Sequence, residues 1–120
     1  MTKHLPLSTP HMSDEGFELE FVHDAFRKNW IAPLGENVTG FENDIAAFVG
    51  SNHPVALSAG TAALHLSLIL CGVKAGDKVF RPDITFPASP NPIAYLRADP
   101  VFIDSASVPS NMDPDALRRA

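Results

Sequence analysis

The apolar positions Phe17, Phe21, Val22, Ala25 and Phe26 recur at helical spacing and predict a first helix with one apolar face. Ser13 stands ahead of it as a predicted N-cap, and Asp14 and Glu15 suit the positive end of a helix. Trp30 and Ile31 follow, and Pro33 closes any helix. Residues 34–37 read as a loop turned at Gly35. Val38, Phe41, Ile45 and Phe48 then lie three, four and three apart, which predicts a second helix. Thr39 and Glu42 have capping-box spacing, although the helix can begin a residue or two earlier. Gly50 is a natural stop.

From residue 54 onward the elements shorten and change type. Residues 54–57 predict a short apolar strand, 58–61 a turn of small residues, and 62–70 a helix ended by Gly72. Gly76-Asp77 marks another turn, and 78–81 alternate as a strand that Pro82 stops. Pro87, Pro90 and Pro92 cannot all sit inside a regular helix, so 83–90 predict an irregular loop. A helix should run from near Asn91 to about Leu96, and 100–104 form a strand rich in Val, Phe and Ile. Asp113-Pro114, an N-cap followed by proline, opens a final helix. Residues 1–12 read as extended. Strands alternating with helices predict an α/β fold with a mostly parallel sheet flanked by helices. Ligands in such sheets bind beyond the carboxyl ends of the strands. The turns at 58–61 and 83–89 are both expected at that edge.

Composition narrows the function classes. A chain of 120 residues, 45% hydrophobic and 19% charged, suits one globular domain or a piece of a larger one. A net charge of -5 gives no support for binding nucleic acid or anionic membranes, and only Arg118-Arg119 are adjacent basic residues. The single cysteine, Cys71, excludes an internal disulfide; at an apolar helix end it reads as a buried structural thiol. This usage fits a cytoplasmic protein. The polar N-terminus has no apolar h-region, and no run approaches the roughly 20 residues that span a bilayer. The 11 prolines sit at element boundaries and favour short elements with defined turns. The five histidines share no metal-binding spacing, and His65 reads as a packed helix residue.

The candidate chemistry lies in Leu57-Ser58-Ala59-Gly60-Thr61-Ala62. Gly60 permits a positive φ and a close approach to a ligand. The helix beyond starts with unpaired N–H groups that favour an anion by about 0.3–1 kcal/mol. Ser58 and Thr61 can add hydroxyl donors, and Ala59 and Ala62 leave room for phosphate oxygens. The plainer alternative is that Ser58 or Thr61 only caps the helix. No Gly-Lys-Ser/Thr follows, and the further glycines of the dinucleotide fingerprint are absent, so neither a triphosphate loop nor an NAD site is supported. In Thr85-Phe86-Pro87-Ala88-Ser89 a proline-braced Phe86 could lie flat on a planar ring, or else cover the sheet end as a core residue.

The run Ser58-Ala59-Gly60-Thr61-Ala62-Ala63-Leu64-His65-Leu66 resembles the signature of the DegT/DnrJ/StrS aminotransferases. These are pyridoxal-phosphate enzymes that aminate keto groups on nucleotide-linked sugars. The resemblance continues in order through Asn29-Trp30-Ile31-Ala32-Pro33-Leu34-Gly35, Phe41-Glu42, Gly72-Val73, Gly76-Asp77-Lys78-Val79, Thr85-Phe86 to Asn91, Pro100-Val101-Phe102-Ile103-Asp104 and Asn111-Met112-Asp113-Pro114. It implies the first part of the large domain of fold-type I pyridoxal-phosphate enzymes over 36–120, with 1–35 as arm, helix and substrate loop. It implies that Gly60, Thr61 and Ala62 hold the cofactor phosphate and Phe86 stacks on the pyridine ring, with Ser89 nearby. Trp30, Pro33, Leu34 and Gly35 would border the sugar-nucleotide pocket. A nucleotide-linked keto sugar, an amino-acid amino donor and a homodimer are implied as partners, in polysaccharide or glycan biosynthesis.

One departure bears on activity. The family needs a Schiff-base lysine, and here only Lys3, Lys28, Lys74 and Lys78 occur, none in the family's lysine motif. Asp104 does not match the acid that protonates the pyridine nitrogen. The expectation is therefore an N-terminal fragment of such an aminotransferase, inactive alone and without a catalytic residue of its own. Three alternatives stay open: a related pyridoxal-phosphate sugar dehydratase, a non-catalytic phosphate-binding or assembly module using Phe17, Phe21 and Phe26 as an interface, and a small nucleotide-binding α/β domain.

Overall fold

The computed structural model of the chain describes residues 11–107 and 111–120. The extended reading of residues 1–12 lies almost wholly outside them. The chain forms two compact units, Met1–Ala56 and Leu57–Ala120.

In the first unit, helix α1 spans Phe17–Arg27 and starts three residues later than Asp14. Gly16, at φ 75°, takes the N-cap position and has no side chain to offer. Ser13 acts one turn earlier: its N–H and Oγ donate to the Glu18 carboxylate at 2.9 and 2.6 Å, and its Oγ accepts from Gly16 N. The Ser13 hydroxyl leads the interactions that hold the Glu18 carboxyl below its ordinary range. The helix ends before Pro33 matters. Asn29 adopts φ 51°, Trp30 N donates to Ala25 O and Asn29 N to Phe26 O, a Schellman motif with asparagine in the left-handed position.

Helix α2 spans Glu36–Val49, between Gly35 and a left-handed Gly50. Thr39 and Glu42 therefore lie inside the helix and form no capping box. Glu42 reaches instead to Ala56, accepting its N–H at 2.8 Å. The strand expected at 54–57 does not form. Extended backbone becomes a strand only when a neighbour completes the ladder, and no described strand lies beside it. The first unit has no buried residue among those described.

The second unit begins with helix α3, Gly60–Leu70, closed by a left-handed Gly72 with Val73 N donating to Leu68 O. Strand β1, Lys78–Pro82, leads through helix α4, Pro90–Tyr95, to strand β2, Asp99–Ile103. β1 and β2 pair in parallel, from Lys78 opposite Asp99 to Pro82 opposite Ile103. Parallel neighbours need such a crossover. α4 starts with the tolerated prolines and packs against both α3 and β2. It ends in a Schellman motif whose left-handed residue is Arg97, at φ 57°. The core consists of Pro92, Ile93, Ala98 and Ile103 with one charged residue, Arg81. Helix α5, Pro114–Arg119, starts as expected: the Asp113 carboxylate accepts from Asp115 N and Pro114 follows. The architecture is thus α/β with a parallel sheet.

Candidate functional site

The first turn of α3 carries the residues expected to hold an anion. Ala59, in extended conformation, is the N-cap residue, and no side chain caps the helix. Neither Ser58 nor Thr61 takes that part, so the plainer capping alternative is not what the chain does. Gly60 enters the helix directly and does not adopt a positive φ, contrary to expectation. Its value lies elsewhere: a Cβ there would meet nothing within 4 Å, so the chain is uncrowded where the helix begins. Ala63 N is bonded to Ala59 O. The amides ahead of it are the orphan donors of a helix start, a place suited to a phosphate.

The second element is the loop at 83–89, which leaves the carboxyl end of β1. Its start is fastened to the end of β2. Asp83 N donates to Ile103 O at 3.0 Å, and the Asp83 carboxylate accepts from Ser105 Oγ and Ile84 N, each at 2.7 Å. The Ser105 hydroxyl is the main reason the Asp83 carboxyl lies below its ordinary value. At the far end Ser89 N donates to Phe86 O, and the Thr85 and Ser89 hydroxyls lie 3.3 Å apart. Ser89 is half-buried at the start of α4. Phe86 is 76% exposed, so it covers no core and presents a free ring face.

The third element lies in the first unit. A cavity of about 690 Å³ is lined by Asp24, Lys28, Trp30, Ile31, Leu34, Gly35 and Glu36 among others. Three of the four residues expected at a sugar-nucleotide pocket, Trp30, Leu34 and Gly35, line it; Pro33 does not. The loop is held by its own contacts. Trp30 Nε1 donates to Leu34 O at 2.5 Å, and the indole lies against Gly35. A Cβ at Gly35, where φ is 140°, would come within 2.6 Å of Trp30 Cδ1 and closer still to Nε1. Lys28 Nζ pairs with Asp24 at 2.9 Å and Glu36 at 2.7 Å. Glu36 first and Asp24 second push the Lys28 amine above its ordinary range, so it stays protonated.

That protonation argues against Lys28 as a nucleophilic amine. Lys74 and Lys78 are exposed at the surface. His65 is half-buried and meets Tyr95 edge to face at 5.5 Å, and no group of metal-binding side chains occurs among the described residues. Cys71, expected to be buried, is exposed, because it lies at the C-cap where α3 runs out of covering neighbours. No described helix is long and apolar enough to cross a membrane.

Arg81 belongs to none of the motifs singled out in the sequence. It is 6% exposed, with its guanidinium 4.5 Å from the centre of the Phe102 ring. Nε donates to Pro82 O at 2.6 Å, Nη2 donates to the same oxygen, and Nη2 also reaches Asp83 O at 3.1 Å. A signal was available: Arg81 shares the inner face of β1 with Val79, where a charge needs a reason.

The chain is similar to known proteins over nearly all of its length. EpsN of Bacillus subtilis, named as a pyridoxal phosphate-dependent aminotransferase, is 52% identical over 100% of this chain and 30% of its own length. GDP-perosamine synthase of Escherichia coli O157:H7 is 37% identical over 86% of the chain and 28% of its own. The chain spans about three-tenths of the length of these curated relatives. Among solved structures, the PLP form of Spr1654 from Streptococcus pneumoniae, described as a sugar aminotransferase, superposes with a TM-score of 0.85 at 31% identity. That match covers 98% of this chain and 29% of the other. A family model matches residues 12–120. The chain belongs to the DegT/DnrJ/EryC1/StrS aminotransferase family.

Proposed function

We propose that the protein serves a pyridoxal-phosphate-dependent aminotransferase that places an amino group on a keto carbon of a nucleotide-linked sugar, for polysaccharide or glycan biosynthesis. The observation that carries this is the uncapped first turn of α3, uncrowded at Gly60. The amides of Gly60, Thr61 and Ala62 would bind the cofactor's phosphate, with the helix dipole favouring its charge. The free face of Phe86 would stack on the pyridine ring, and the Ser89 hydroxyl would help hold the loop against Thr85. When bound, pyridoxal phosphate supplies the electron sink for amino transfer. Trp30, Leu34 and Gly35, with Pro33 beside them, would border the sugar nucleotide.

Residues 1–35 would act as arm, helix and substrate loop, and 36–120 as the first part of the cofactor domain. The amine that binds the cofactor would come from a lysine other than Lys3, Lys28, Lys74 or Lys78. An amino acid would be the amino donor. Phe17, Phe21 and Phe26, all more than half exposed on α1, suit a homodimer contact. A cytoplasmic setting fits this substrate class.

The test is titration of the purified protein with pyridoxal phosphate, with inorganic phosphate as competitor. Ala62→Asp puts a carboxylate in front of the donors and should weaken binding about tenfold or more while the far-ultraviolet dichroism is kept. Binding that phosphate does not compete for, or that Ala62→Asp leaves intact, would overturn the reading.

A further inference from the structure

Arg81 is the one buried charged residue among those described, and the proposed chemistry leaves it without a task. Among the described residues no carboxylate lies within ion-pair distance of it, and Asp83 feels its charge only as a minor influence. Its Nε and Nη2 donors go to the backbone oxygens of Pro82 and Asp83, and its cationic plane lies over Phe102. Arginine's rigid fork suits such a set of fixed acceptors better than lysine's single ammonium group. With Nε and Nη2 engaged, the group is placed to hold backbone.

The carbonyls it holds are the last of β1 and the first of the 83–89 loop. Phe102 belongs to the neighbouring strand, so the guanidinium bridges both strands at their carboxyl ends. The same end carries Asp83 N to Ile103 O and Ser105 Oγ to the Asp83 carboxylate. Phe86 lies three residues beyond Asp83 and has no covering neighbour to orient it. Its direction must come from the backbone that leads to it.

We propose that Arg81 is a positioning residue that fixes the start of the 83–89 loop and so aims Phe86 at the cofactor ring. This rests on the cofactor reading above. Arg81 touches neither cofactor nor substrate and acts through the carbonyls of Pro82 and Asp83.

The test uses hydrogen exchange by mass spectrometry on the purified protein, together with pyridoxal phosphate titration, for wild type, Arg81→Met and Arg81→Lys. Methionine keeps an apolar body under Phe102 and removes every donor. Exchange at residues 83–89 should rise about tenfold in Arg81→Met, the scale of losing charged hydrogen bonds, while 78–82 and 99–103 stay protected. Affinity for pyridoxal phosphate should fall about fivefold or more, and Arg81→Lys should recover part of both effects. Unchanged exchange in the loop overturns the proposal. So does equal loosening of the strands, which would make Arg81 a general structural residue. A looser loop with unchanged affinity overturns it as well. If wild type itself binds no pyridoxal phosphate, the cofactor reading fails and the aiming of Phe86 fails with it. The exchange arm then still decides whether Arg81 clamps the loop.

Discussion

The two units are built on different principles. In the first, two helices are defined by neighbours in sequence: Ser13 with Glu18, Asn29 closing α1, Lys28 between Asp24 and Glu36, and Trp30 folded onto Gly35. None of its described residues is buried. In the second, strands 21 residues apart pair in register, and α4 closes over them to bury Pro92, Ile93, Ala98 and Ile103. Local contacts can shape a loop without a core, whereas a parallel ladder needs one, because its crossover must be covered. Residues 30–35 therefore sit on a locally braced frame, and residues 83–89 on a packed one.

The largest break in that contrast should come from Ile103→Ala. Ile103 is 3% exposed, so the loss should be about 2–5 kcal/mol, read from the denaturant midpoint. A loss under 1 kcal/mol would mean that the second unit is not held by its core. Next comes Gly35→Ala. Its Cβ collides with a tryptophan pinned through Leu34 O, and the positive φ disfavours a side chain, so about 1–3 kcal/mol should be lost. Trp30 fluorescence should shift while helix content stays. Unchanged fluorescence would show that the Trp30–Gly35 contact does not exist in solution.

A smaller effect of opposite sign sharpens the comparison. Arg97→Gly relieves a left-handed arginine at the end of α4 and should stabilise by about 0.4–1 kcal/mol. A lower melting temperature would refute it. The smallest effect concerns pH. The Asp83 carboxyl is depressed, so its stabilising contribution is present above the unfolded value and is lost as pH falls through the lower folded value. Stability should therefore decline more steeply below about pH 4 in wild type than in Asp83→Asn. Parallel acid profiles for the two proteins would remove Asp83 from the account.

Much of the fold was legible in the sequence where the deciding physics is local. Gly50 and Gly72 end their helices, Asp113-Pro114 opens the last one, and Pro87 stands in the irregular 83–89 loop while Pro90 and Pro92 sit in the first turn of α4. Local expectation and structure part where another part of the chain decides. The 54–57 strand needed a partner that is absent among the described strands. A cap is the local expectation for Glu42, because nothing near it in sequence shows that Ala56 returns to it. Cys71 looked buried because its sequence neighbours are apolar, yet α3 is covered only on part of its circumference, with Leu66, Ile69 and Leu70 left exposed.

The turn at 58–61 divides the two kinds of knowledge. By itself the sequence determined that small residues precede an apolar helix, and the order of its motifs carries the resemblance to one aminotransferase family, since residue order is a property of the chain. Tertiary structure decided that no hydroxyl caps α3, that Gly60 is helical and uncrowded, and that Arg81 lies buried across two strand ends. Those outcomes depend on which backbone groups find partners and which surfaces are covered, and distant residues brought together by folding settle both.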